Sequence, residues 1–234
     1  MRFETSNHNE IEEAKREGYP LIIPLGPLEY HGNHCVYGTD VLIPLGILER
    51  FETIMNDKVV IFPPFWYGPA SYAVASNEKA SSINVDYDAL QKIFEGIFRS
   101  LLRYGWRKIF VMMAHQTEDL LPMQLSVLKA AKVSVFEYLG GKYGEGWWGN
   151  TEYKEIFEDT TSSKHPWNWI KTLTPLEGLD RNSIDVSADH AGKWETSTLL
   201  ALNPQYVKIE RIDENSEWFC KSGSEASTGL GERK

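Results

Sequence analysis

Hydrophobic residues along the chain form two alternating patterns, short continuous apolar runs and longer stretches with helical spacing. The short runs are typical of buried strands, and they span residues 19–25, 59–62, 109–113 and 133–138. The helical spacing predicts helices over residues 11–18, 41–55, 87–104, 120–132 and 151–158, and a last helix that ends at Leu202. Strands that alternate with helices predict a layered α/β domain with a mainly parallel sheet.

Polar residues and glycine set the predicted ends of these elements. The clearest helix carries one apolar stripe and is predicted to begin after an N-cap at Asp86 and to end at Gly105. Asp40 is predicted to cap the helix that follows it. Residues 162–179 lack a regular pattern and are predicted to be irregular. Because the chain shows no internal repeat and no linker, we expect a single domain over residues 1–234, with a poorly ordered tail after about residue 215.

Composition and charge exclude several classes of partner. The 234 residues are 42% hydrophobic, enough for a sizeable core. The 24 Lys+Arg and 33 Asp+Glu residues give a net charge of −9, which argues against a nucleic-acid or anionic-membrane partner. No apolar run is long enough to span a membrane, and residues 1–15 lack the apolar stretch of a signal peptide. Cys35 and Cys220 do not make a disulfide framework, and we expect a cytoplasmic protein.

Carboxylate and imidazole side chains follow the first and third predicted strands and open the last helix. Glu29, His31 and Asp40 come after the first strand, His115 follows the third, and Glu195 begins the last helix. Such oxygen and nitrogen donors bind divalent metal ions, and open α/β sheets place their sites at the carboxyl ends of strands. These residues could hold two ions with one carboxylate between them, about 3.5–4 Å apart, which lowers the pKa of bound water to about 7.

A non-catalytic interpretation accounts for the same residues. Each of them, taken alone, is more often a solvated carboxylate or a hydrogen-bonded structural histidine. The alternative protein keeps a structural metal or binds a small ligand. No ion or one fully enclosed ion would favour this alternative, and two labile ions per chain would favour an enzyme. The chain has no Gly-x-Ser-x-Gly elbow, no Walker A loop and no His-Glu-x-x-His sequence, so a serine mechanism and a nucleotide cofactor have no support.

Two sequence motifs resemble those of a known family. Residues 24–34 read PLGPLEYHGNH and residues 38–40 read GTD, which is similar to the signature of the creatininase (creatinine amidohydrolase) family. Residues 189–197 read DHAGKWETS and resemble the family's second motif. The resemblance implies a three-layer α-β-α sandwich, often assembled as a hexamer, with two divalent metal ions per chain, zinc, manganese or iron.

The resemblance also implies roles for individual residues. Its motifs assign metal ligation to Glu29, His31, Asp40 and His115, with Asp40 as the bridge between two ions, and to Glu195 as a fifth ligand. His190 matches the residue that transfers a proton to the leaving group. His34 matches a supporting position, and we expect it to orient a ligand rather than to bind metal. Cys35 is expected to be a reduced residue within the loop.

The third family motif departs from its usual form. The family usually has His-Gly-Gly-Asn there, or His-Tyr-Glu-Asn in creatininase itself, whereas this chain has His115-Gln116-Thr117-Glu118. Threonine is a poor ligand, so Glu118 or Glu195 must complete the second ion, or that ion binds weakly. The change puts creatinine itself in doubt as the substrate.

Aromatic loops suggest where a substrate binds. Tyr143, Trp148 and Trp167 are predicted to stack on a small polar ring, and the alternative is a role at a subunit interface. The favoured reaction is hydrolysis of a small cyclic amide or a related polar ring by a metal-activated water. The alternative reaction opens a cyclic polyol ketone of the inosose type at a C–C bond. We expect a homo-oligomer that acts on a small molecule.

Overall fold

The computed structural model describes residues 1–71, 82–115, 119–175, 177 and 190–212. In chain order, the helices and strands within these ranges are α1 (His8–Arg16), β1 (Leu21–Leu25), α2 (Thr39–Ile54), β2 (Val60–Ile61), α3 (Tyr87–Tyr104), β3 (Ile109–Met113), α4 (Leu120–Tyr143), α5 (Lys154–Phe157), β4 (Ile170–Leu173) and α6 (Lys193–Leu202). None of these helices is both long and apolar enough to cross a membrane.

The four strands form one parallel sheet in the order β2-β1-β3-β4. Leu21 pairs with Ile109 and Leu25 pairs with Met113, so β1 and β3 end side by side. The loops that leave these two strands therefore emerge at the same edge of the sheet. The predicted parallel sheet is confirmed, and its carboxyl edge is the place where such sheets build sites.

Helices cover both faces of the sheet. One face packs against α1, α3 and α4 and contributes Leu21, Ile23, Leu25, Ile109, Val111 and Met113. The other face packs against α2, with Ile22 and Met112 next to Leu48. Leu199 of α6 packs on Ile43 of α2. The predicted three-layer α-β-α sandwich is confirmed, and it fixes α2 and α6 on the same side of the sheet.

The ends of α3 agree with the sequence pattern. Asp86 occupies the N-cap position as predicted, although its side chain makes no capping hydrogen bond with the described residues. Gly105 ends the helix with φ 105°, a conformation that glycine adopts without steric cost. Leu90, Phe94, Leu101 and Leu102 of the predicted apolar stripe are buried, whereas Ile93 is exposed and Phe98 is buried in addition.

The strand predicted at residues 133–138 is wrong, because these residues continue α4 as one unbroken helix. Its buried residues recur every three or four positions through that region: Met123, Val127, Ala130, Ala131, Ser134, Val135 and Leu139. The β-branched valines favoured a strand locally. The buried helical stripe overrides this preference, since β-propensity depends strongly on tertiary context.

Three further boundaries differ from the predictions. A short strand, β4, lies in the segment expected to be irregular, and as an edge strand only one of its four residues, Ile170, is buried. The helix predicted at 151–158 divides into a 3₁₀ turn at Thr151–Tyr153 and the one-turn α5. Asp40 does not cap α2; Gly38 holds that position and Asp40 lies in the first turn. Its side chain is directed instead into the cluster described below.

Some predictions fall outside the described residues. These are the tail after residue 215, Cys220 and the departing positions Gln116, Thr117 and Glu118. The single domain over residues 1–234 and the cytoplasmic location stay predictions.

Candidate metal centre

The loop after β1 lies directly against the start of α2. A Cβ atom on Gly26 would lie 2.8 Å from the backbone carbonyl of Asp40, so glycine permits this approach. The amide of Glu29 donates to the carbonyl of Tyr37, which folds the loop back toward the helix. This local fold brings Glu29, His31 and Asp40 to one point above the sheet.

Five buried side chains meet at this point, none more than 4% exposed: Glu29, His31, Asp40, His115 and Glu195. Nδ1 of His115 lies 3.0 Å from Oδ2 of Asp40 and 3.1 Å from Oε2 of Glu29. Nε2 of His31 lies 3.5 Å from Oδ1 of Asp40 and 3.5 Å from Oε2 of Glu195. The structure thus brings together all five residues that are predicted from the sequence as candidate metal ligands.

The five residues divide into two groups that share Asp40. Glu29, Asp40 and His115 form one group, and His31, Asp40 and Glu195 form the other. Within each group the candidate ligand atoms lie within 4.8 Å of one another. A third such group joins Glu29 and His31 to His190. Oxygen and nitrogen atoms at this spacing are the donor set of a divalent ion of borderline character.

Hydrogen bonding directs the donor atoms inward. Nδ1 of His31 donates to the carbonyl of Glu29 at 3.0 Å, which leaves the lone pair of Nε2 facing the carboxylates in the neutral tautomer. Among the described residues, Nε2 of His31 and Oδ1 of Asp40 are buried without a hydrogen-bond partner. Buried polar atoms of this kind are rare unless something satisfies them, and a cation between them would do so.

The pKa values of the cluster residues also indicate a site that attracts cations. Burial would lower the pKa of His31, but the Asp40 and Glu195 carboxylates outweigh it and raise that pKa to about 10. Burial would also lower the pKa of His115, but the Glu29 and Asp40 carboxylates hold that pKa well above its usual range. Burial raises the pKa of Glu29 and of Glu195. Burial also disfavours the charge on Asp40, yet the two imidazoles hold its pKa well below its usual range. The cluster attracts positive charge, which protons or a metal ion can supply.

His190 lies at the side of the cluster. Its Nε2 donates to the carbonyl of Tyr30 at 2.6 Å, and its Nδ1 lies 3.7 Å from Oε1 of Glu29. Burial and the neighbouring His31 lower the pKa of His190. His190 is therefore neutral at pH 7, with the Nδ1 lone pair turned toward the cluster, a state in which it can accept a proton.

His34 and Cys35 lie one contact away from the cluster. Nε2 of His34 donates to the carbonyl of Ala191 at 3.0 Å and lies 2.9 Å from Oγ1 of Thr196. The half-buried Cys35 thiol is a free cysteine whose Sγ lies 3.8 Å from Oγ1 of Thr196. His34 contacts the segment that carries His190 and Glu195.

A cavity of about 590 Å³ opens beside His190. Its lining includes the side chains of Tyr30, Asn33, Lys193 and Ser197. These residues belong to the two quoted motifs, but nothing in a single sequence separates a residue that lines a cavity from its structural neighbours. The cavity has room for a small polar molecule next to the cluster.

The three aromatic residues predicted to bind substrate lie elsewhere. Tyr143 ends α4 and Trp167 precedes β4, whose first residue pairs with the first residue of β3, so both lie at the amino edge of the sheet. The ring centroids of Trp148 and Trp167 are 6.1 Å apart, and Trp148 is 62% exposed. Within one chain, the aromatic group is thus at the edge opposite the cluster. Their predicted role in substrate binding stays a prediction, as does the alternative role at a subunit interface.

Comparisons with known proteins agree with the motifs. A Creatininase family model described as creatinine amidohydrolase matches residues 4–231. A creatinine amidohydrolase of Pseudomonas putida is 24% identical over 198 residues, which are 82% of this chain and 67% of that protein. A 3-dehydro-scyllo-inosose hydrolase of Thermotoga maritima is 22% identical over 222 residues, 94% of this chain and 62% of that protein. The chain spans about two thirds of the length of these curated relatives.

Solved structures share the fold. A creatininase with a Trp-to-Phe substitution aligns with a TM-score of 0.70 at 19% identity, over 91% of this chain and 76% of that one. A manganese form at 21% identity and a Glu-to-Gln variant of Zn-Zn type at 19% identity each align with a TM-score of 0.68 over the same shares. Because the family model matches nearly the full length of this chain, the chain belongs to the creatininase family of metal-dependent hydrolases.

Proposed function

We propose that the protein is a binuclear metal-dependent hydrolase that acts on a small cyclic amide or a related polar ring. The observation that carries the proposal is the pair of buried three-residue groups that share Asp40. One ion would be held by Glu29, Asp40 and His115, and the other by His31, Asp40 and Glu195. Solved creatininases are described in manganese and Zn-Zn forms, which supports these metals here.

We assign to Glu195 the ligand role that the altered third motif does not provide. Its Oε2 atom is 3.5 Å from Nε2 of His31, so Glu195 could supply the carboxylate that a threonine at position 117 lacks. Glu118 lies outside the described residues and stays a candidate ligand or supporting residue. A divalent ion in such a site supplies Lewis-acid activation of water and of a substrate carbonyl.

His190 carries the proton transfers in the proposed reaction. The Tyr30 carbonyl fixes its tautomer by accepting from Nε2, so Nδ1 is the atom that takes a proton from the attacking water. The same Nδ1–H then donates to the departing nitrogen. A lowered pKa suits this role, because the imidazole begins neutral and returns the proton readily.

The cavity beside His190 is the proposed substrate site. Asn33 and Ser197 offer hydrogen-bond donors and acceptors along its wall, which suits a small polar ring. Ring opening of a cyclic polyol ketone is the second candidate, because the inosose hydrolase relative aligns with 94% of this chain. A homo-oligomer, hexameric by the family resemblance, is proposed for the assembly.

Product analysis tests the proposed function. The purified full chain is loaded with Mn²⁺ or Zn²⁺, counted by elemental analysis, and incubated with lactams, formamides and inososes. We expect two ions per chain and a new amine from a cyclic amide. Acid release from an inosose without an amine would support the second candidate. A chain that binds no ion stoichiometrically and hydrolyses none of the three classes would contradict both.

Metal binding is expected to weaken as the pH falls. Since the pKa of His31 is raised to about 10 before a cation binds, His31 carries a proton at pH 7 that the metal must displace. Lowering the pH strengthens this competition, so the affinity should drop about tenfold per pH unit for each proton released. Calorimetry in two buffers with different ionisation enthalpies measures the protons. An affinity that is constant from pH 6 to pH 9 would contradict the assignment of His31.

A further inference from the structure

Ala191 has an unusual backbone conformation at the centre of the second motif. Its φ angle is 55°, in the left-handed region that residues with a Cβ atom rarely adopt. Ala191 follows His190 directly and lies four positions before Glu195. A residue persists in this conformation only where its surroundings hold it there, and such residues cluster at functional sites.

Both polar backbone groups of Ala191 are bound by side chains of the two motifs. Its N–H donates to Oε2 of Glu195 at 2.7 Å. Its carbonyl accepts from Nε2 of His34 at 3.0 Å and from Oγ1 of Thr196 at 3.1 Å. His34 and Thr196 also touch each other at 2.9 Å, so they hold the carbonyl as a connected pair.

Glycine at position 32 makes room for this arrangement. Gly32 has φ 67°, and a Cβ atom built on it would lie 2.8 Å from Nδ1 of the His34 ring. The ring therefore packs over the bare Gly32 backbone on its way to Ala191. The loop after β1 reaches the segment before α6 through this contact.

We propose that His34 and Thr196 are positioning residues that hold Ala191 in the left-handed conformation and so set the places of Glu195 and His190. The Glu195 oxygen that accepts from Ala191 is the atom 3.5 Å from Nε2 of His31. If Ala191 rotated to an ordinary conformation, its N–H would leave Glu195 and the adjacent His190 would leave Tyr30. The inference rests on the proposed function, because it takes Glu195 as a metal ligand.

Zinc affinity of the chelator-stripped full chain tests the inference, measured by competition with a chromophoric chelator. Activity is a poor readout here, since Thr196 also lines the cavity. Thr196→Val removes the hydroxyl at nearly constant volume and should weaken one of the two zinc ions about 10–100-fold. Thr196→Ser keeps the hydroxyl and should stay within about threefold of the unmodified chain.

The substitution Ala191→Gly distinguishes a positioning role from a general loss of local structure. Glycine adopts positive φ without the cost that alanine bears, so Ala191→Gly in the Thr196→Val background should recover about tenfold of the lost zinc affinity. His34→Phe keeps a ring beside Gly32 but removes the Nε2–H donor to the same carbonyl, and Ala191→Gly should rescue this variant too. If Thr196→Val does not fold, His34→Phe with and without Ala191→Gly still decides the question.

Two results would overturn the inference. One is equal zinc binding by the valine and serine variants, and the other is a weakened variant that Ala191→Gly fails to improve. The unmodified chain distinguishes this failure from failure of the proposed function. If it binds two zinc ions, only the positioning role is lost, whereas a chain that binds none refutes the metal centre itself.

Discussion

Replacing Asp40 with asparagine is expected to abolish turnover, by at least about a thousandfold, and to release both metal ions. The reason is that Asp40 belongs to both candidate ligand groups and faces His31 and His115 with its two oxygens. Asparagine keeps the shape but loses the charge that holds a cation. Steady-state kinetics and elemental analysis measure the two losses, and circular dichroism should show a retained fold.

Two further variants test whether the effect is specific to Asp40. Asp88→Asn makes the same chemical change on the exposed first turn of α3 and should leave activity and metal content as they are. Glu195→Gln touches one group alone and should leave about one ion per chain. A fully active Asp40→Asn variant, or one that keeps two ions, would show that the ligand assignment is wrong.

Replacing His190 with glutamine is expected to lower kcat by about 10²–10⁴ while both ions stay bound. Glutamine can still donate to the Tyr30 carbonyl, but it has no titratable nitrogen to face Glu29. The pH profile adds a second readout. Burial and His31 lower the pKa of His190, so the activity of the unmodified enzyme should fall only below the ordinary histidine value. The variant should lack this acid limb.

The exposed His8 provides the matched control. His8→Gln should change neither kcat nor the pH profile, because His8 is exposed, contacts Tyr104 at the end of α3 and belongs to none of the candidate ligand groups. If His190→Gln kept full kcat and the same acid limb, another group would have to move the proton. Loss of metal in the variant would instead place His190 among the ligands.

The cluster could be located from the sequence because it follows strand ends. Glu29 and His115 come just after apolar runs that proved to be β1 and β3, neighbours in a parallel sheet. Parallel neighbours end at one edge, so their following residues had to meet. Glu195 is a candidate in the sequence only because it begins the last helix, and its assignment as a fifth ligand rests on the family resemblance.

Other features depend on contacts that no local pattern encodes. Val133 and Val135 favour a strand by themselves, and the buried helical stripe that includes Val135 overrides this preference. Trp148 and Trp167 resemble a stacking site in sequence, but the crossover from β3 to β4 carries them to the opposite edge. The left-handed Ala191 has no signal in its residue type, because alanine is not a residue that usually adopts that conformation.

The candidate donor atoms of the centre come from the loop after β1, the first turn of α2, the residue His115 after β3 and the first turn of α6, segments that are separated along the chain. An unfolded chain cannot assemble them, so a bound cation favours the native state by mass action, by about 2.7 kcal/mol at a free metal concentration 100 times Kd. Metal supply and resistance to proteolysis are thereby linked in this molecule. An ion held by the proposed ligands would act as a reversible cross-link between α6 and the central strands.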